Sequence, residues 1–406
     1  MTLRRLAGRW LRRLGWRRST DRQAPRVRAS ERLRDVPTKV TIRDDRTLLV
    51  NGEPFFPNGL YYARDQIADA SGDGLRALRD MGFNSVFVDG DIESVDDLDR
   101  IHRAGLYVCC RPGGRLYSQF QHLKTIVAIY GAHPALLFWE MDDEPVLNHV
   151  PLEETKQGCQ LVRAIDPFHP ILCNQWLSTM AEEQEMRDWG QLADVYGFSC
   201  YPVPSARWGS RMRLVEEGWP HSIAVVGTQT RAWRSYAPGK PIVPVLQAWA
   251  WNCLEDGDAA YPSLHEARFM TYQAVIQGAN GLHHYGVVNP TRPHLACGIP
   301  PVLREDLDRT HADFEEAQWR NRIFWTYYSS VVEEIARMGA VFTSRDSEWR
   351  PGPLPASIEY RVKHHDGMNV ILLVNASAEP VALRIEGVTD EVVEGFGVRV
   401  YSGGTR

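Results

Sequence analysis

No stretch of this chain approaches about 20 uninterrupted apolar residues, so no transmembrane helix is expected. Cysteine offers little: there are seven, an odd number, with no CxxC pair. Four of them, Cys109, Cys110, Cys173 and Cys200, sit inside β-like apolar runs, which fits buried free thiols in a reducing compartment. No His or Cys spacing suits a metal, and no metal site is expected. Internal repeats and low-complexity tracts are missing too. No GxGxxG follows a strand, so a doubly wound nucleotide-binding sheet lacks its usual fingerprint.

Negative charge is scarce at one end only. Residues 1–39 hold thirteen Arg or Lys and three acids, a surplus of ten positive charges, while the whole chain carries −5. The remainder is therefore at −15. So acidic a body has no basic face to displace counterions, and nucleic acid is not expected as a partner. In the basic arm, Leu3, Leu6, Trp10 and Leu14 share one side of a helix, a pattern that can rest weakly on an anionic membrane surface. The alternative is a disordered arm. Arginines interrupt every apolar run there, so the arm does not read as a secretory signal, and the expected location is cytoplasmic. Nothing in the sequence fixes an oligomeric state.

From Val40 the pattern becomes regular. A short strand pair spans Val40 to Phe56, and then apolar strands alternate with amphipathic helical stretches. The strands are read at Phe56–Tyr62, Asn84–Asp89, Leu106–Arg111, Ala135–Met141, Pro170–Asn174, Val195–Tyr201, Ile242–Ala248 and Gly281–Tyr285. Eight strands with intervening helices in roughly 280 residues predict a (β/α)8 TIM barrel over residues 40–338. Glu305–Met338 reads as a long amphipathic stretch of two helices. Residues 339–406 change texture, with short strands and no helix, which predicts a small C-terminal antiparallel β-sandwich.

In such a barrel function sits at the carboxyl ends of the strands. The fourth predicted strand ends Leu136-Leu-Phe-Trp-Glu-Met-Asp-Asp-Glu-Pro145, with four acids in five positions. Unpaired buried carboxylates are costly, so either a partner such as Arg111 neutralises some of them or they do chemistry. Glu140 lies deepest and is open to the ion-pair reading. Glu144, with Asp143 and Asp142 beside it, is the candidate proton donor. Asp143 next to Glu144 would raise its proton affinity by like-charge repulsion, which suits a general acid.

Trp139 to Pro145 resembles the Asn-Glu-Pro or Asp-Glu-Pro signature of clan A glycoside hydrolases. Asn51-Gly-Glu-Pro-Phe-Phe-Pro-Asn-Gly looks like the first barrel strand of that clan, and Ala193-Asp-Val-Tyr-Gly-Phe-Ser-Cys-Tyr-Pro like its sixth. Lys240-Pro-Ile-Val-Pro-Val-Leu-Gln-Ala-Trp looks like the seventh, and Ala267 to Leu282 like the helix and strand that close the barrel. The likeness covers roughly residues 40–400. It implies a glycosidase acting on a β-linked oligosaccharide or glycoconjugate, with Glu144 as acid and no cofactor.

One position departs from that pattern. Gln247 stands where the resemblance places a nucleophilic Glu. An amide cannot form the covalent glycosyl intermediate, so three readings stay open. The enzyme inverts, with a distant carboxylate as base; Asp89, Asp142, Glu255, Asp256 and Asp258 are candidates. Or a residue of Glu255–Asp258 is itself the nucleophile. Or the barrel binds carbohydrate without cleaving it. Gln247 could still hold a water or a sugar hydroxyl. Aromatics crowd the strand ends, namely Tyr61, Tyr62, Trp176, Tyr201, Trp249, Trp251 and Tyr285, and these offer flat faces to sugar C–H groups. His283 and His284 must face opposite ways on a strand, so one of them is expected to enter the site.

Overall fold

The computed structural model describes residues 37–63, 67, 71–89, 92, 94–112, 120–176, 183–204, 222–250, 260–286 and 314–403. The basic arm over residues 1–36 lies outside the described residues. Strands β1 (Val40–Ile42), β2 (Leu48–Val50) and β3 (Glu53–Phe55) form an antiparallel sheet. It sits at the amino-terminal end of the barrel strands, where Val40 N–H donates to Phe168 O and the Thr38 hydroxyl to Pro134 O.

Eight strands close the barrel: β4 (Asn58–Ala63), β5 (Ser85–Asp89), β6 (Tyr107–Cys110), β7 (Leu136–Asp143), β8 (Ile171–Gln175), β9 (Val195–Cys200), β10 (Val245–Gln247) and β11 (Leu282–Tyr285). All neighbours pair in parallel, and β11 returns to β4 through His283 opposite Gly59. Each strand was legible in the sequence because it is buried on both faces, so its apolar run is nearly continuous. The eight helices among the described residues are α1 (Asp73–Asp80), α2 (Val95–Arg103), α3 (Phe120–Tyr130), α4 (Leu152–Ile165), α5 (Glu183–Leu192), α6 (Val225–Tyr236), α7 (Leu264–Ile276) and α8 (Phe314–Thr343).

Helix α7 is buried on nearly all sides, from Ala267 to Ile276. Such a helix needs cover on every face, and it has it: the barrel lies on one side and the C-terminal domain on the other. Its start is fixed by a capping box between Ser263 and Glu266. On α6, Gly227 lets the two helices touch, since a Cβ there would lie 2.6 Å from the Gln273 side chain.

Helix α8 is continuous over its described length to Thr343 and passes through Gly339, where the change of texture suggested a boundary. A mid-helix glycine costs about 1 kcal/mol, but Phe342 beyond it packs on Phe56 and Tyr272 and holds the last turn.

The C-terminal domain is two antiparallel sheets, β12–β13–β16 (Ile358–His365, Met368–Asn375, Val398–Ser402) and β14–β15 (Val381–Ile385, Thr389–Val393). Alternation on β13 serves two cores. Val370, Leu372 and Val374 join the barrel's core, while Ile371 and Leu373 meet Leu383, Ile385 and Val393 in a second one.

Candidate active site

The carboxyl end of β7, the fourth barrel strand, carries the acids. Its pairing with β8 slips between Glu140 and Asp143. Such an irregularity re-aims the side chains beyond it. Glu140 stays inside the barrel, fully buried, with Oε2 2.6 Å from Arg111 Nη2 and 3.1 Å from Nε. It is the most tightly ion-paired member of the set. Asp142, by contrast, turns out into the helix layer, where its carboxylate accepts from the Thr155 hydroxyl of α4 at 3.0 Å. The expectation of Asp142 as a catalytic group or second carboxylate is therefore corrected: the slip in β7 carries it away from the barrel mouth. Asp143 returns to the inside, accepting from Asn174 Nδ2 at 2.9 Å and lying 4.0 Å from Arg111.

Glu144 ends the strand in the left-handed region, φ 46. A non-glycine residue pays roughly 1–2 kcal/mol for that geometry. The following turn holds it: Glu144 N–H donates to Asn174 O, Glu144 O accepts from Asn148 N–H, and Asn148 Nδ2 donates to Asp143 O. The Glu144 carboxyl is pushed up to about 8, first by burial and next by the charge of Asp143. A hydrogen bond from the Ser199 hydroxyl works the other way, Glu140 adds to the rise, and Arg111 opposes it. The like-charge effect expected from adjacency is present but second to desolvation. A chain thus links Asp143, Asn174, Ser199 and Glu144, with Asn174 Nδ2 3.2 Å from Ser199 Oγ. Sequence reasoning passed over Asn174 and Ser199. Their signal was polar residues on the barrel-facing parity of otherwise apolar strands.

Five of the seven strand-end aromatics have described side chains, and they form one wall. Tyr201 stacks on Tyr285 at 5.6 Å and meets Trp249 at 5.7 Å and Trp176 at 5.6 Å, while Tyr61 meets Tyr285 edge-on at 5.4 Å. Tyr61 and Tyr201 are buried, and burial holds both hydroxyls protonated as donors. The side chains of Tyr62 and Asp89 lie outside the described residues, as do Trp251, Glu255, Asp256 and Asp258; the Asp89 backbone pairs with Ala63. His283 faces the barrel interior against Phe87, and His284 faces the helix layer, bound to Tyr328 and Asn58. Burial holds both near 3, so both are neutral.

Gln247 is not poised for a ligand through its N–H groups. Its Nε2 donates to Val203 O at 2.7 Å and Trp249 O at 2.9 Å, and its Oε1 accepts from Val203 N–H at 2.8 Å. The amide clasps the backbone beyond β9, so it secures the wall rather than offering a free donor.

Arg111 should matter to stability. Replacing it with Met strands Glu140 in the interior and is expected to cost about 3–5 kcal/mol, whereas Arg111→Met with Glu140→Leu should recover much of the loss. Urea unfolding of the two variants checks this. Equal losses in both would show that the pair is not the cause.

No model of a known protein family matches the chain, and no curated protein matches it. Solved structures do. A glycoside hydrolase of family 5 from Bacteroides vulgatus superposes with a TM-score of 0.55 at 15% identity, covering 90% of each chain. A structure described as a glycoside hydrolase gives a TM-score of 0.51 at 13% identity, covering 90% of this chain and 94% of its own. A family 2 β-galacturonidase from Eisenbergiella tayi is matched over 54% of its length, at 15% identity and a TM-score of 0.47. At these identities the likeness is one of fold. The fold is shared with glycoside hydrolases, across both the barrel and the C-terminal sheets.

Proposed function

We propose that this barrel is a glycosidase that cleaves a β-linked oligosaccharide or glycoconjugate, with Glu144 as the proton donor. The observation that carries the reading is Glu144 itself: a carboxyl with its proton held up to about 8, placed at the end of the fourth strand beside an aromatic wall. A sugar ring laid on Tyr201 and Tyr285 would bring a glycosidic oxygen toward the Glu144 O–H. Proton transfer to that oxygen neutralises the leaving group as the C–O bond breaks. Water enters from the other ring face and loses its proton to a second carboxylate. Asp89 or the Glu255–Asp258 segment supplies that base. Screening a panel of β-glycosides and polysaccharides, wild type beside Glu144→Gln, tests the reading; turnover by both alike would refute it.

Gln247 bears on stereochemistry. Its amide is tied to backbone and has no anionic oxygen, so the two-carboxylate covalent route at that position is closed. A single displacement by water, with carboxylates roughly 6.5–9.5 Å apart, gives inversion of the anomeric carbon. Proton NMR of fresh product, before mutarotation, is expected to show the inverted anomer. Retained configuration, or a sugar trapped on Glu255, Asp256 or Asp258, would overturn this and assign the nucleophile to that segment.

The same observation favours one second reading, a barrel that binds carbohydrate without cleaving it. Sugar binding by calorimetry with no turnover across the panel would establish that reading in place of the first.

A further inference from the structure

At the barrel's base, opposite Glu144, cations gather from separate elements. Arg46 lies on the turn between β1 and β2, with φ 73. Arg234 is in the last turn of α6, and Arg361 and Lys363 are two apart on β12. Arg361 donates to Asp346 at 2.8 Å and to Val275 O at 2.9 Å. Lys363 is buried, 3.0 Å from Asp346 and 2.7 Å from Ser344 O. Arg234 donates from Nη1 to Gln277 O at 3.0 Å, and its Nε is buried with no acceptor. Its guanidinium lies over Gly278, where a Cβ would come within 2.5 Å of it.

Counter-charge is short. Asp45 is taken by Arg43 and Asp44 by Arg345, which leaves Asp346 for four cations. The carbonyls at the end of α7 contribute about half a negative charge more. The Arg46 backbone N–H donates to Arg43 O, but its guanidinium makes no hydrogen bond or ion pair among the described residues. Burial and then the charge of Arg46 and Arg361 pull Arg234 down to about 10; burial and then Arg361 pull Lys363 down to about 8. Both are the response of buried positive charges crowded by one another, with Asp346 only partly offsetting them.

We propose that this seam between the barrel base and the C-terminal domain binds a small oxyanion of the phosphate type, held by Arg46 and Arg234 with Arg361 and Lys363 behind them. Guanidinium groups suit tetrahedral oxyanions because their N–H pairs match two oxygens at once. A ligand of the native state raises melting temperature by mass action.

The test is thermal unfolding in inorganic phosphate from micromolar to low millimolar, at fixed ionic strength set with chloride. The wild type is expected to gain about two degrees or more, along a saturating curve. Arg46→Gln and Arg234→Gln should each lose most of the gain, while Arg76→Gln, on the exposed face of α1, should keep it. Glucose 6-phosphate, run in parallel, separates sources: an equal gain assigns a terminal phosphoryl group, and a gain with inorganic phosphate alone assigns the free ion. A wild-type response that is absent or never saturates would overturn the site. So would a gain in both arginine variants equal to that of wild type.

Discussion

Glu144→Gln is expected to lower turnover about 100-fold or more on the true substrate while the chain still folds. Glutamine keeps the shape and can occupy the same left-handed turn, held by the Asn174 and Asn148 backbone bonds. What it lacks is a proton to give. Two further readouts follow from the raised proton affinity. Glu144 acts while protonated, so kcat/KM of the wild type should fall as pH rises through about 8. Stability should carry the same signature. The unfolded carboxyl gives up its proton near its ordinary value of 4.5, whereas the folded one keeps it to about 8. Between those values the unfolded state binds fewer protons, so wild-type stability falls as pH rises, then levels off. The full loss is on the order of a few kcal/mol. Gln carries no such charge, so the variant should melt above wild type, with a gap that widens from pH 5 to pH 8. Turnover within a few-fold of wild type, together with a gap that does not change with pH, would dismiss Glu144 as the acid.

The reach of the sequence can be judged strand by strand. All eight barrel strands were legible, because a strand buried on both faces advertises itself as a nearly continuous apolar run. Glu144 stood out as a candidate because an acid at the end of such a run has no cheap structural excuse. Glu140 was assigned the ion-pair alternative, and Arg111 supplies the pair. The parity of β7 was hidden. A strict period of two beyond Glu140 would bring Asp142 inward and turn Asp143 away, and the register slip reverses both. A slip depends on how β8 meets β7, which no local pattern encodes. The dominant cause of the Glu144 shift was hidden for the same reason: desolvation requires the closed barrel, whereas the Asp143 charge is visible from adjacency. Gln247 reads as a ligand donor until Val203, far along the chain, is placed beside it.

Deleting residues 344–406 is expected to leave a barrel that is insoluble or strongly destabilised. The reason lies in α7. Phe269 packs edge-on against Phe396 at 5.1 Å, and Val370, Leu372, Val374 and Val398 belong to the same core as the barrel. Removing the sheet would lay this apolar surface open to water, at about 25 cal/mol per Å². Polar losses add to it. Arg268 would keep Glu334 but lose Val398 O, Gln273 and Arg231 would lose Glu359, and Val275 O would lose Arg361. Gln273 is nearly fully buried in the intact chain and also braces Gly227, so the damage would spread to the α6–α7 contact. An exposed apolar face of that kind also favours association between copies. Expression yield, gel filtration and calorimetric unfolding of the truncated chain beside the full one provide the measurement. A soluble monomeric truncation whose melting temperature lies within a few degrees of the full chain would show that the barrel stands alone. The buried face of α7 would then need another explanation.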